Sequence, residues 1–258
     1  MWTDKVQIVD DLTPAAWLTD RLTGGWGRVT GVAPHGYPAY ARVLHPVARD
    51  DGDGYVTWAQ VAEVTGRRVH PTVQWHALIG SDDPYAHSSE LWDGGEPPAG
   101  NLPLPALEAL VDLLTGYTTT AEDCYFAMWE GWGSHNGAST RITLTDGEGS
   151  TVEQMPALYP PAPALELPGR EYRVFRGPLG AMTELAQYDG AALPWTQSPS
   201  LFWPADRAWC VATEIDFDST LVAGTAQVID AVLAAAGLEA FPVEPSDSLQ
   251  SDADQVNS

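Results

Sequence analysis

The segment Cys-Tyr-Phe-Ala-Met-Trp-Glu-Gly-Trp at 124–132 constrains the fold most. Glu130 is its only acidic or basic residue, and its β-branched neighbours are few but its aromatics many. A short run this apolar predicts a central strand with core on both sides. The chain therefore has to supply further strands to flank it and helices to cover it. A clear cover is the pattern Leu104, Leu107, Leu110, Val111 and Leu114, whose spacing predicts an amphipathic helix over 103–114.

Other segments fit the same plan. Thr13-Pro14 predicts a helix start. The spacing of Trp58, Val61, Ala62 and Val64 predicts a short helix over 57–64, and 225–236 reads as an Ala-rich helix closed by Gly237. A further helix is expected over 179–186. Strands are expected over 27–32, 40–47, 70–76, 141–145, 172–175, 209–217 and 239–243. Residues 80–101, and the stretch around Pro194 and Pro199, read as loop. Pro156, Pro160, Pro161, Pro163 and Pro168 predict a stiff connector over 156–169, because proline removes ladder donors. The expectation is an α+β fold with mixed or antiparallel sheet and helices packed on it. It has two subregions, 1–155 and 170–245, packed as one unit, and an acidic disordered tail over 246–258.

Charge narrows the function. The 258 residues carry 12 Lys+Arg against 35 Asp+Glu, a formal charge of −23, which excludes nucleic-acid binding through a basic face. Lys5 is the only lysine, so lysine-dependent covalent chemistry is not expected. No apolar run reaches the ~18 residues of a membrane span, and the N-terminal residues lack a signal-peptide pattern. Cys124 and Cys210 form neither a metal spacing nor a disulfide framework. A cytoplasmic protein with free thiols is the expectation.

Three candidate sites stand out. If 209–217 were one strand continuing to 218, Glu214, Asp216 and Asp218 would share a face, a candidate Mg or Ca site. The string around them, Asp216-Phe217-Asp218-Ser219-Thr220-Leu221, resembles the Asp-x-Asp-x-Thr-Leu signature of haloacid-dehalogenase-type phosphatases. That resemblance implies a nucleophilic, magnesium-binding Asp216 and an acid/base Asp218. The family also needs a later basic residue, and none follows Arg207. The second candidate is aromatic: Trp129, Glu130, Trp132, His135 and Trp203 combine flat rings with polar neighbours suited to a small ligand or glycan. The third is the pair His70 and His76, which a strand over 70–76 would place on one face for zinc or acid/base work. Asp51-Gly52-Asp53-Gly54 resembles the middle of an EF-hand loop, but Arg49 and Gln60 stand where its end ligands belong, so it reads as a turn.

The segments at 36–46, 74–76, 124–133 and 202–217 together resemble an uncharacterised family of soluble proteins from high-GC actinobacteria. The resemblance implies a bacterial cytoplasmic protein and supplies no catalytic residues or activity. No complete catalytic constellation is visible and no cofactor is predicted. The expected function is a non-catalytic, immunity- or regulator-like protein-binding protein. The alternatives are a metal-dependent hydrolase or phosphatase using Glu214, Asp216 and Asp218, and a Trp-lined ligand-binding protein.

Overall fold

The computed structural model describes residues 5–49, 54–132, 140–145, 149–154, 160–185 and 197–257. The apolar segment forms strand β5 (Cys124–Trp129), and it lies inside a nine-stranded sheet. The other members are β1 (Gln7–Ile8), β2 (Ala39–Leu44), β8 (Leu165–Leu167), β9 (Arg170–Gly177), β10 (Leu201–Pro204), β11 (Cys210–Ala212), β12 (Ser219–Gly224) and β13 (Ala240–Val243). Their order is β1-β9-β5-β10-β11-β12-β2-β13, with β8 also paired to β9. Every strand pairing among the described residues is antiparallel. Two hairpins stand apart: β3 (Val47–Ala48) with β4 (Tyr55–Val56), and β6 (Thr140–Thr145) with β7 (Gly149–Gln154).

Side-chain alternation divides the core. Cys124, Phe126 and Met128 of β5 join Phe202, Val211 and Val222 on one face. That face is covered by α4 (Leu104–Thr115) and α6 (Ala226–Ala234). Tyr125 and Ala127 join Trp203, Cys210, Leu221 and Ala223 on the other, against the 3₁₀ turn Thr13–Leu18 and α1 (Val29–Val32). A third cluster, around Leu44, Trp58, Trp75 and Ile79, gathers α2 (Trp58–Thr65) and α3 (Trp75–Leu78) beside the end of β2. Thr57 and Gln60 form a capping box on α2. Glu239, just before β13, accepts from Trp58 N at 2.6 Å and Ala59 N at 2.8 Å, tying this cluster to the sheet edge. A short α5 (Met182–Leu185) follows a 3₁₀ turn at Leu179–Ala181.

The α+β class is as expected, and several details differ. The two subregions share one sheet: β10, β11 and β12 of the later half lie between β5 and β2 of the earlier half. The end of the Pro-rich connector is strand β8, which buries Leu165 and Leu167 and turns through Pro168-Gly169 into β9, with Gly169 at φ 78°. Residues 27–32 form α1 and an isolated bridge between Arg28 and Ser248 rather than a strand. Residues 246–257, expected as a disordered tail, pack against the protein; Leu249, Asp254 and Asn257 are buried. Both cysteines are buried and free, and burial pushes the Cys124 thiol up to about 12. Among the described residues no helix is long and apolar enough to cross a membrane.

Candidate functional site

The sheet leaves a cleft beyond the β11–β12 turn. β11 ends at Ala212; Thr213 N still bonds Ser200 O in the same register, and the chain then reverses, with Phe217 N on Glu214 O. Residues 209–217 are thus not one strand, and Glu214, Asp216 and Asp218 do not alternate along a strand face. The reversal instead turns Ile215, Asp216, Phe217 and Asp218 all toward a cavity of about 700 Å³. Two backbone bonds pin it, His45 N to Asp218 O and Gly100 N to Phe217 O, both 2.9 Å. Gly100 has φ 68°, and a Cβ there would lie 2.6 Å from Ile215 O, so glycine is required for this approach.

Beneath the turn lies a buried polar network. Arg42, 1% exposed, points from β2 into it. Its guanidinium donates to Ser219 Oγ (2.8 Å), Val73 O (2.7 Å), Pro71 O (3.2 Å) and Asp218 Oδ1 (3.3 Å). Burial raises the Asp218 pKa, and Arg42 opposes that shift. His45 is fully buried, with Nδ1 at 2.7 Å from Pro98 O and Nε2 at 2.9 Å from Thr220 Oγ1. A carbonyl only accepts, so Nδ1 carries the proton and the Thr220 hydroxyl donates to Nε2.

The opposite walls come from Gln74 and the start of α3, with Trp75 and His76, and from the loops holding Tyr85, His87 and Glu96. His87 Nδ1 pairs with Glu96 Oε2, and that bond raises the His87 pKa. Trp26 stands at the rim with 63% exposure, its ring 5.8 Å from that of Phe217.

The last wall is Leu249, Gln250 and Ser251 from the C-terminal segment, which acts as a strap. One end is held where Leu249 N bonds Gly27 O (2.7 Å) and Arg28 Nη1 bonds Ser246 O (2.6 Å). The other end is held by Asp254, which accepts from His70 Nε2 (2.8 Å) and from Asn257 N (2.9 Å) and Nδ2 (2.8 Å). Burial alone would raise the Asp254 pKa, but the bonds from Asn257, Val256 and His70 outweigh it and hold it low. Asn257 in turn bonds Arg68 N and O at 2.9 Å each. Asp254→Ala should release this end at a cost of about 1–3 kcal/mol, speeding amide exchange of residues 249–257 by roughly 10- to 100-fold. Exchange as slow as in the wild type would show that the strap is held elsewhere.

Asp216 and Asp218 line the cavity. Glu214 and Asp216 share Arg170 Nη2, at 2.9 and 2.7 Å, so a guanidinium takes the position in which a cation was expected. Among the described residues no group of three His, Cys, Asp or Glu side chains is placed to hold a metal ion. Trp129 meets Trp132 edge to face at 5.4 Å and lies under Arg170, while Glu130 pairs with Arg173 at 2.8 Å. Trp203 is wholly buried, stacked on Tyr125 at 5.7 Å, and belongs to the core rather than to a binding surface. His135 and the turn at 50–53 lie outside the described residues. His70 and His76 do not share a strand face: α3 begins between them, and His70 holds the strap while His76 faces the cavity.

Trp26, Trp75, Tyr85 and Glu96 were not singled out in the sequence, and neither were Arg42 and His45. The available signal was a cation and an imidazole inside the apolar stretch 40–47. Groups of that kind demand distant partners when buried. No known protein family, curated protein or solved structure matches this chain.

Proposed function

We propose that the chain is an intracellular binding protein whose cleft takes a small polar organic molecule. One observation carries the reading: a cavity of about 700 Å³ whose walls combine the rings of Trp26, Trp75, Tyr85 and Phe217 with His76, Glu96, Asp216 and Asp218. Volumes of ~300–1,000 Å³ with aromatic walls and a few convergent polar groups are the usual form of small-ligand sites. The placement inside the cell rests on the free buried thiols and on the actinobacterial resemblance. The hydrolase alternative has less support, because Arg170 and Arg42 engage the carboxylates it would use. A protein partner remains the other binding mode, through the exposed rim rings Trp26 and Tyr85.

The test is a screen of water-soluble metabolites read by the indole N–H signals of the tryptophans. The expected result is a set of hits that move the Trp26 signal and lose their effect in Phe217→Ala. Hits that move only Trp129 and Trp132 would transfer the site to that pair. A screen with no hits would defeat the reading.

A further inference from the structure

Resting on that reading, we infer that the ligand presents an organic cation, an ammonium or guanidinium group on an apolar body, to the turn Asp216-Phe217-Asp218.

Among the described residues, the charged or titratable side chains lining the cavity are Glu96, Asp216, Asp218, His76, His87 and Tyr85, and none is Lys or Arg. An anionic ligand would find no lysine or arginine inside the cleft, and His87, the imidazole whose pKa is raised, is already paired with Glu96. Such a ligand would also meet carboxylates at the cost of like-charge repulsion.

Arg42 reaches Asp218 through Oδ1, and Arg170 reaches Asp216 through Oδ2. Both arginines approach from outside the cavity lining, since neither is a wall residue. Among the described residues no other side chain bonds Asp218 Oδ2 or Asp216 Oδ1. An ionised carboxylate accepts at both oxygens. The turn is therefore oriented by its arginines, and the half-exposed Asp216 retains an accepting edge at Oδ1.

Phe217 lines the cavity between the two acids, and the exposed Trp26 ring stands 5.8 Å from it at 50°. Two adjoining rings beside two carboxylates offer the groups an organic cation uses: quadrupole attraction for its charge and apolar contact for its carbon. A sugar would use the rings and hydrogen bonds but gain nothing from the charge of the acids. The formal charge of −23 adds long-range attraction for any cation.

The test compares choline with its neutral carbon isostere, 3,3-dimethylbutan-1-ol, together with agmatine, glucose and a blocked Ala-Arg-Ala tripeptide. Binding is followed by the Trp26 indole signal of the full chain. We expect choline or agmatine to bind at least about tenfold more tightly than the neutral isostere, as cation–π and carboxylate contacts together require. That preference should shrink as ionic strength approaches about 1 M, where the screening length is about 3 Å. Asp216→Asn, at a side chain 54% exposed, should weaken cation binding severalfold and leave the melting temperature close to wild type. Tighter binding of agmatine than of the tripeptide assigns a free metabolite-sized cation, and the reverse assigns a basic side chain; both support the inference. Equal binding of choline and its isostere, or glucose binding unaffected by Asp216→Asn, would overturn the cationic ligand while leaving the cleft a binding site. If none of the five probes moves Trp26, the cationic-ligand inference is rejected. Neutral or acidic hits from the metabolite screen would then keep the cleft reading alone.

Discussion

Arg42→Met should lower the stability of the protein by about 3–5 kcal/mol, the usual cost of removing one member of a buried ion pair. For a chain of this size that is a fall of roughly 6–20 °C in melting temperature. Methionine fills much of the arginine's volume, so lost packing is the smaller part. The larger part is what stays behind: the Ser219 hydroxyl, the carbonyls of Pro71 and Val73, and the Asp218 carboxylate, all served by one guanidinium. Arg42→Lys should rescue little, because an ammonium cannot reproduce a planar fork that serves four acceptors. Adding Asp218→Asn to Arg42→Met should recover part of the loss, since it removes the uncompensated charge. Urea unfolding of the three variants measures these differences. A loss under about 1 kcal/mol for Arg42→Met would mean that water satisfies the network equally well.

The parts of this fold that were legible in the sequence are those where local pattern and tertiary burial agree. The 3.6-residue spacing of Leu107, Leu110, Val111 and Leu114 gave α4 nearly to the residue, and all four are buried. β5 was legible because a continuous apolar run has few other uses. β11 and β12 were not. The stretch 209–217 alternates as a strand would, yet the chain reverses after Ala212, and Ile215 and Phe217 go to the cavity rather than to a sheet face. Alternation does not distinguish these outcomes, because a turn lined by a cavity also buries apolar residues. The tail shows the same limit in composition. Asp and Asn are the residues of solvated chains, and they are also the residues that cap and cross-link backbone. Asp254 and Asn257 do the latter, with partners near residue 70 that no local pattern announces. The site was half legible: the acids of 214–218 drew attention for a shared strand face they do not have, while two of them reach the cleft by the turn that replaced it.

His45 should make stability fall between about pH 6.5 and pH 4, ahead of ordinary acid denaturation. Burial lowers its pKa from 6.5 to about 4, with the nearby Arg42 acting in the same direction and the bond to Pro98 O opposing. In the unfolded chain the imidazole takes a proton near pH 6.5, about its ordinary value. Across that window the unfolded state therefore binds more protons than the folded state, so stability drops as the pH falls. The contribution is complete above the unfolded pKa and is spent once the pH passes below the folded one. Its size between about pH 7 and pH 4.5 is about 2–3 kcal/mol, which urea midpoints resolve. His45→Asn keeps a donor for Pro98 O and removes the titration. It should be less stable than wild type near neutrality yet lose about 2–3 kcal/mol less across the window. Asp254 does not confuse the comparison, because its low pKa places its loss below the ordinary carboxylate value. A wild-type curve parallel to that of His45→Asn would mean that His45 is protonated as readily inside as outside. The Trp58 indole, which donates to His45 O at 2.8 Å, provides a local check. Its N–H signal should hold its position down to about pH 5 and change only as the buried imidazole gains its second proton.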